Sequence, residues 1–368
     1  MELHSLGWND HFNQHFKARG NDGWIAARVA REHRHLYTVL GESGEQSARV
    51  SGRFQHEALS RADFPAVGDW VLIEAPAGNG NAVIHAVLPR RSSFSRKAVL
   101  AGGPKYGEGR TEEQVLAANI DTAFLVSGLD HDLSRRRIER FLSVTWDSGA
   151  SPVIILNKTD VCDDVAARVQ EVSDVALGVP VHPISAELVT GLDALRDYLT
   201  VGRTAAFLGS SGVGKSTIIN RLLGEDRLDT GGVRLDDSQG RHTTTRRELI
   251  LLPQGGLVID TPGLRQIQLW GAESGLSQTF SDIEQLITRC RFGDCQHQNE
   301  PGCAVRAALA TGELEHERYA SYLRLQKEYH NLAVRKNVRQ QRQENRARDR
   351  RFRQFHRIRR ELRKKGLI

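Results

Sequence analysis

No apolar run in the 368 residues approaches the roughly 20 needed to cross a bilayer as a helix, which excludes a membrane-spanning helix. The opening stretch, MELHSLGWNDHFNQHF, lacks a basic region followed by an apolar one, so no signal peptide is expected and the cytoplasm is the expected compartment. No internal repeat is visible, which excludes a repeat architecture. Cysteine is scarce: four residues in all, three of which, Cys290, Cys295 and Cys303, fall within fourteen positions. In a cytosolic chain such clustering reads as metal binding rather than disulfides. Cys162 stands apart and reads as a buried or half-buried thiol.

What is present is enough for ordinary cores: 39% hydrophobic and 26% charged residues, over a length that suits two or three domains. The net charge is +6, but residues 335–368 alone hold 15 Lys and Arg against 3 Asp and Glu, so they carry +12 and the preceding body carries −6. A mildly acidic body with a strongly basic tail points to a polyanionic partner met by the tail. Trp8, Phe12 and Phe16 recur every four residues, the spacing of a short amphipathic helix packed on a domain. His4, His11 and His15 beside them read as surface residues.

Between residues 20 and 90 lie short apolar runs broken by turn signals: GWIAARVA, LYTVLGE, ARVSGRF, DWVLIEA and AVIHAVLP. They predict a small all-β barrel of about five strands, such as an OB-fold. The glycine-rich AGGPKYGEGR (101–110) reads as a connector. From 115 onward, β-rich apolar runs alternate with helical stretches, which implies a mostly parallel sheet covered on both faces. From about 313 the residues look helical.

GSSGVGKST, Gly209 to Thr217, follows the strand TAAFL and opens a helix. This is the phosphate loop G-x-x-x-x-G-K-[ST] in its required context. Gly209, Gly212 and Gly214 let the backbone N–H groups of Ser210, Ser211 and Val213 turn toward phosphate oxygens. The helix N-terminus at Ser216 and Thr217 adds partial positive charge. Lys215 would reach the β- and γ-phosphates, and Ser216 would ligate Mg²⁺. Asp260, at the end of the strand GGLVI, would hold the rest of the Mg²⁺ shell, and Gly263 of the same D-T-P-G would offer its N–H to the γ-phosphate. Thr243, Thr244 and Thr245 all qualify to close over the metal, and spacing does not choose among them.

NKTD, Asn157, Lys158, Thr159 and Asp160, follows the strand PVIIL. Asp160 can accept from the N1–H and 2-amino group that guanine presents and adenine lacks. Asn157 can bind the acceptor side of the base and brace the phosphate loop, and the Lys158 stem can lie over the base plane. Ser185 and Ala186 end the next strand, where a backbone N–H would read guanine O6. An unpaired buried carboxylate is costly, so the arrangement selects GTP over ATP. The base loop precedes the phosphate loop in the chain, the reverse of what the site alone would suggest. Ligands bind such sheets beyond the carboxyl ends of the strands, so the loops need spatial adjacency and not a given order. A circular permutation supplies this order without moving a loop.

The cluster Cys290-x4-Cys295-x-His297-x5-Cys303 offers three thiolates and one imidazole, a closed tetrahedral shell for one structural zinc ion. Unbound thiols beside a surface histidine are the alternative. The tail is a basic helix candidate with Phe352, Phe355 and Ile358 interleaved. It suits RNA phosphates and unpaired bases, with a solvated tail or a helix on an acidic membrane as alternatives.

These motifs, with FPAVGDWVLIE, PRRSSFSRK, AANIDTAFLV, RHTTT and DTPGLR, resemble the RsgA (YjeQ) family of circularly permuted GTPases over nearly the whole chain. The resemblance implies an OB-fold barrel (1–100), a permuted P-loop GTPase domain (112–280), a zinc-binding helical domain (281–334) and, here, a basic tail (335–368) longer than the family's usual end. It implies late maturation of the small ribosomal subunit, with hydrolysis stimulated by that subunit. The expected partners are the subunit, its rRNA and GTP or GDP, with no membrane, and the chain is expected to be a monomer. Where Ras-like enzymes position water with a Gln, this chain has Leu264, which predicts slow intrinsic turnover. His242 can hydrogen-bond a water, and the resemblance implies that role for it beside Lys215. Leu264 also keeps open an RNA-binding zinc protein whose GTP site is a regulatory clamp with little turnover. A paralogue acting on another RNA is a third reading.

Overall fold

The computed structural model describes residues 1–19, 23–33, 36–76, 78, 80–99, 111–228, 247–260 and 274–334. His242, Thr243, Thr244, Thr245, Gly263, Leu264 and the basic tail lie outside the described residues.

The first five strands are β1 (Trp24–His33), β2 (Leu36–Gly41), β3 (Gly44–Val50), β4 (Trp70–Glu74) and β5 (Ala82–Val87). They pair in the order β1-β2-β3-β5-β4, and β4 returns to β1, so the sheet closes into a barrel. All pairs are antiparallel except β3–β5. Every second residue points inward: Ala27 and Val29, Tyr37 and Val39, Ala48 and Val50, Val71 and Ile73, Ala82 and Ile84 form one buried cluster. That alternation is the period of a strand with one face in a core, and closure leaves no open edge. This is the OB-fold expected from the runs of residues 20–90. ARVSGRF divides, its first half forming β3 and its second a short helix, Gly52–Glu57.

Beyond a bulge between Val29 and Arg31, β1 stays paired with β2 through His33, and Arg31 also pairs with Glu248 of the second sheet. Arg28 is fully buried at this junction. Its guanidinium donates to the carbonyls of Gly68 (3.1 Å), Asn119 (3.0 Å) and Leu6, tying together the barrel, the start of the second sheet and the N-terminal segment. Burial pulls its pKa down to about 10. The helix Asp10–Arg19 begins after Trp8, yet Trp8 and Phe12 still share one target, the Trp70 ring, at 4.7 and 5.8 Å.

Two strands that the sequence pattern does not announce follow: β6 (Ser93–Val99) and β7 (Thr111–Ala118), an antiparallel hairpin flanking the glycine-rich connector. Ser-rich and Glu-rich segments carry little β propensity; partner pairing, not local preference, makes them strands.

The second sheet contains β8 (Thr122–Gly128), β9 (Ser151–Asn157), β10 (Val181–Pro183), β11 (Thr204–Leu208), β12 (Glu248–Leu251) and β13 (Leu257–Asp260). Their order is β10-β9-β8-β11-β13-β12, parallel throughout except for β12. Successive residues go to opposite cores: Ala123, Leu125, Ala206 and Leu208 to one face, Phe124, Val126, Ala205 and Phe207 to the other. Both faces are buried, hence the unbroken apolar runs. The chain runs outward from β8 to β10, then returns to the other side of β8 as β11. The carboxyl ends of β8 and β11 are therefore the topological switch point, where such sheets hold ligands.

The helix Arg135–Ser148 covers one face, and the helices Ser274–Thr279 and Ser281–Thr288 and the helical residues 316–334 pack beside it. Gly275 lies against that helix so closely that a Cβ there would sit 2.1 Å from the Ser143 carbonyl oxygen. Gly275→Ala is expected to cost about 2 kcal/mol, measurable as a lowered urea midpoint, although its φ suits any residue.

Candidate guanine-nucleotide site and metal centre

The phosphate loop leaves β11 at the switch point. Gly209 (φ +152°) and Gly214 (φ +94°) take backbone angles that disfavour a side chain. A Cβ at Gly209 would meet the Val126 carbonyl at 2.3 Å, and one at Gly214 would meet Asn157 Nδ2 at 2.3 Å. The glycines are therefore needed for close approach to the neighbouring strand ends as well as for the turn. Gly212 also has positive φ, +81°. Val213 is buried beneath the loop, and Ser216 and Thr217 lie half-buried in the first turn of the helix Lys215–Leu223. Lys215 Nζ donates to the Gly209 carbonyl at 2.9 Å and to that of Ser210, so the ammonium is folded over the loop it serves. Ser211 is exposed.

The base-side loops reach the same place. Asn157 is 3% exposed, its Nδ2 donating to the Val213 carbonyl (2.8 Å) and its Oδ1 accepting from Ala186 N–H (3.0 Å). One amide thus ties the phosphate loop to the ends of β9 and β10, whose sequence order is reversed. Losing both bonds leaves buried backbone groups unpaired at about 1–3 kcal/mol. Asn157→Ala is therefore expected to weaken GDP binding by roughly tenfold or more, read by fluorescent-nucleotide titration.

Asp160 accepts from Ser185 Oγ, which in turn accepts from Leu188 N–H at 3.1 Å. Thr159 N–H donates to the Ile184 carbonyl at 3.2 Å. The Ser185 hydroxyl therefore orients the carboxylate, a part that the motif assigns only to backbone. Lys158 takes a left-handed conformation (φ +69°), and its Nζ lies 2.5 Å from Asp130 Oδ2. The Lys158 ammonium holds the Asp130 carboxyl below its usual range. Asp130 belongs to no motif; only its place just past the end of β8 signals it. Asp260 ends β13, the parallel neighbour of β11 with Ala206 opposite Ile259, which sets it beside the strand that feeds the phosphate loop.

The second cluster stands apart. The candidate ligand atoms of Cys290, Cys295, His297 and Cys303 all lie within 4.8 Å of one another. Cys290 Sγ is 4.0 Å from Cys303 Sγ, and His297 Nδ1 is 3.6 and 3.4 Å from those two sulfurs. A tetrahedron with metal–thiolate bonds of about 2.3 Å has edges of about 3.8 Å, so the four donors fit a metal ion. A left-handed turn at His297 (φ +59°) brings the imidazole back onto the thiols. Against the cost of burial, N–H groups of Val305 and Ala304 hold the Cys290 thiol below its usual value. Burial and the neighbouring thiols push Cys295 up to about 11.

The RsgA GTPase family model matches residues 87–270, half of the chain. This chain belongs to the RsgA GTPase family. A protein named small ribosomal subunit biogenesis GTPase RsgA, from Opitutus terrae, is 50% identical over 337 residues, covering 89% of this chain and 90% of its own length. One named RsgA 2, from Lactiplantibacillus plantarum, is 50% identical over 307 residues, covering 83% and 84%. Among solved structures, YjeQ from Thermotoga maritima superposes with a TM-score of 0.60 at 26% identity, over 84% of this chain and 99% of that one. YloQ, described as a circularly permuted GTPase, shares the fold with a TM-score of 0.58 at 24% identity over 85% of this chain and 97% of that one. An ABC transporter model also matches residues 192–354. That span holds the phosphate loop, which is common to ATP- and GTP-binding P-loop proteins, and among the described residues no helix is long and apolar enough to cross a membrane. The RsgA family is an enzyme family, and the chain is a GTPase.

Proposed function

We propose that this GTPase binds the small ribosomal subunit in the cytoplasm, as a monomer, and assists its late maturation, with hydrolysis stimulated by the subunit. The observation that carries the nucleotide half of this reading is Asn157, whose one side chain bonds Val213 of the phosphate loop and Ala186 of the base-side loop. The partner is taken from the names of the relatives.

GTP lies with its base toward Asp160 and its phosphates over the loop from Gly209 to Thr217. Asp160, steadied by Ser185, accepts from guanine's donor edge. Lys215 neutralises charge on the β- and γ-phosphates as water attacks the γ-phosphorus in line. Ser216 and Asp260 would hold Mg²⁺, which when bound offsets the charge of the leaving group. His242 is the residue proposed to orient the water, Thr243 or Thr244 to close over the metal, and Gly263 to meet the γ-phosphate. The Cys290, Cys295, His297 and Cys303 set takes zinc, since three thiolates and an imidazole suit that ion and leave no open position for chemistry. The barrel (1–100), the zinc module (281–334) and the basic tail (335–368) bind RNA, and residues 112–280 carry the GTPase.

The test is GTP turnover by the chain alone, with small subunits and with large subunits. Slow release of phosphate alone, and a rise of roughly tenfold or more with small subunits, is expected. No rise with either subunit favours a clamp with little turnover, and a rise only with another RNA favours a different target. Deleting residues 335–368, which carry +12, is expected to weaken subunit binding and flatten its salt dependence. The log–log slope should fall by about 0.7–0.9 for each phosphate the tail had neutralised, measurable by co-sedimentation across a salt series.

A further inference from the structure

The helix Arg135–Ser148 leaves the switch point and reaches the phosphate loop from outside it. In its first turn Arg137 Nη1 donates to Ser210 Oγ at 2.7 Å. The same nitrogen is held by the Asp132 carbonyl (3.1 Å) and by the Asp132 carboxylate, in the turn that follows β8. Ser210 comes directly after Gly209, before the loop turns at Gly212. No motif in the sequence includes Arg137, and none of the catalytic roles proposed for Lys215, Ser216, Asp260 or His242 involves it.

The rest of the same helix is bound to the C-terminal segment. Arg135 pairs with Glu315 at 2.6 Å, and Arg140 makes a two-pronged pair with Glu328 at 2.7 and 3.0 Å. Glu139, 2% exposed, takes Arg318 at 3.1 Å and Ser321 Oγ at 2.5 Å. Farther along, Asp147 accepts from Tyr329 at 2.5 Å and from Gly275 N–H at 2.6 Å. Residues 135 and 139 share a helical face, whereas 137 lies about 200° around from 135 and only about 60° from Arg140. The residue that pairs with Glu328 therefore neighbours the one that meets the loop, one turn apart on the same helix. Arg318 would keep its two bonds to Asp282 at 2.6 and 2.8 Å, but separating it from Glu139 would leave that buried carboxylate without its cation. The helix and the C-terminal segment are thus constrained to move together.

We propose that Arg137 is a positioning residue of the phosphate loop, acting through Ser210, and that the C-terminal helix sets its placement through the shared helix. This rests on the reading of the site as a GTP-hydrolysing one, but not on any ribosomal partner. A body that shifts residues 316–334 would shift Arg137 with them and so alter the loop beneath the phosphates.

The experiment is a pair of double-mutant cycles on the full chain, with kcat and KM for GTP measured without subunits and folding checked by thermal melting. Arg137→Met is expected to lower kcat about tenfold, the loss of one charge-assisted hydrogen bond, with KM changing less than threefold. Arg137→Lys recovers part of that loss. In a Ser210→Ala background Arg137→Met adds less than twofold, because its partner is gone. Glu328→Gln, remote from the nucleotide, lowers kcat in the wild-type background and leaves it unchanged in Arg137→Met. Independent, multiplicative effects in the first cycle overturn the role through Ser210. Equal effects of Glu328→Gln in both backgrounds, or none in either, overturn the link to the C-terminal helix. Since no subunit is added, these failures are distinct from a failure of subunit stimulation.

Discussion

Asp160→Asn is expected to weaken GTP binding by about a hundredfold or more and to turn the preference toward xanthosine triphosphate. The carboxylate presents only acceptors, and one oxygen already accepts from Ser185. Guanine brings two donors, N1–H and the 2-amino group, and each bond to the charged acceptor contributes about 1.5–3 kcal/mol. An amide keeps one acceptor but sets its NH₂ against the 2-amino group, so one bond is lost and two donors oppose each other. Together these cost about 3–5 kcal/mol, or roughly two to four orders of magnitude in affinity. Xanthine carries a carbonyl in place of that amino group, which the asparagine NH₂ can satisfy. Competition titrations with GTP, XTP and ATP read the exchange directly. Unchanged GTP affinity would remove Asp160 from the base site.

Stripping the metal is expected to unfold the segment from Cys290 to Cys303 and with it the packing of the helix Ala304–Thr311. Cys303 is the N-cap of that helix, accepting from Arg306 N–H at 3.5 Å, so one sulfur would both ligate the ion and start the helix. Structural zinc in such small modules binds with about 10–16 kcal/mol near neutral pH, comparable to the whole stability of a domain at about 5–15 kcal/mol. A chelator or Cys303→Ala should therefore lower the helical circular-dichroism signal and open the segment to protease. GDP affinity should stay within about threefold, because Asn157, Asp160 and Lys215 stand at, or in the loops just after, the carboxyl ends of β9 and β11. Thiols must lose protons to bind the ion, so retention weakens as pH falls. Metal content after dialysis at stepped pH measures it. A chain that keeps its spectrum without metal would contradict a structural ion.

The barrel is legible in the sequence because its inward residues alternate, and the GTPase sheet because strands buried on both faces read as apolar runs. The phosphate and base loops are legible because their chemistry demands fixed residue types at fixed spacing. What the sequence does not display is the meeting of side chains far apart in the chain. Lys158 meets Asp130, and Ser185 meets Asp160, across 28 and 25 residues. Arg137 meets Ser210 across 73. These pairs exist because the parallel order brings β8, β9, β10 and β11 to one end of the sheet, which no local pattern encodes. The hairpin β6–β7 escapes the sequence pattern for a related reason, since its strands are made by pairing with each other. At the metal cluster the composition points to the ligands, while the turn that returns His297 to the thiols is a backbone property that spacing leaves open.

A crystal structure with a non-hydrolysable GTP analogue and Mg²⁺ most directly tests whether the permuted loops build one site. The guanine edge is expected within hydrogen-bond distance of the Asp160 carboxylate, and the β- and γ-phosphates against Lys215. A nucleotide bound with its base away from Asp160, or phosphates seated elsewhere than the loop from Gly209 to Thr217, would contradict a single site built from loops in reversed order.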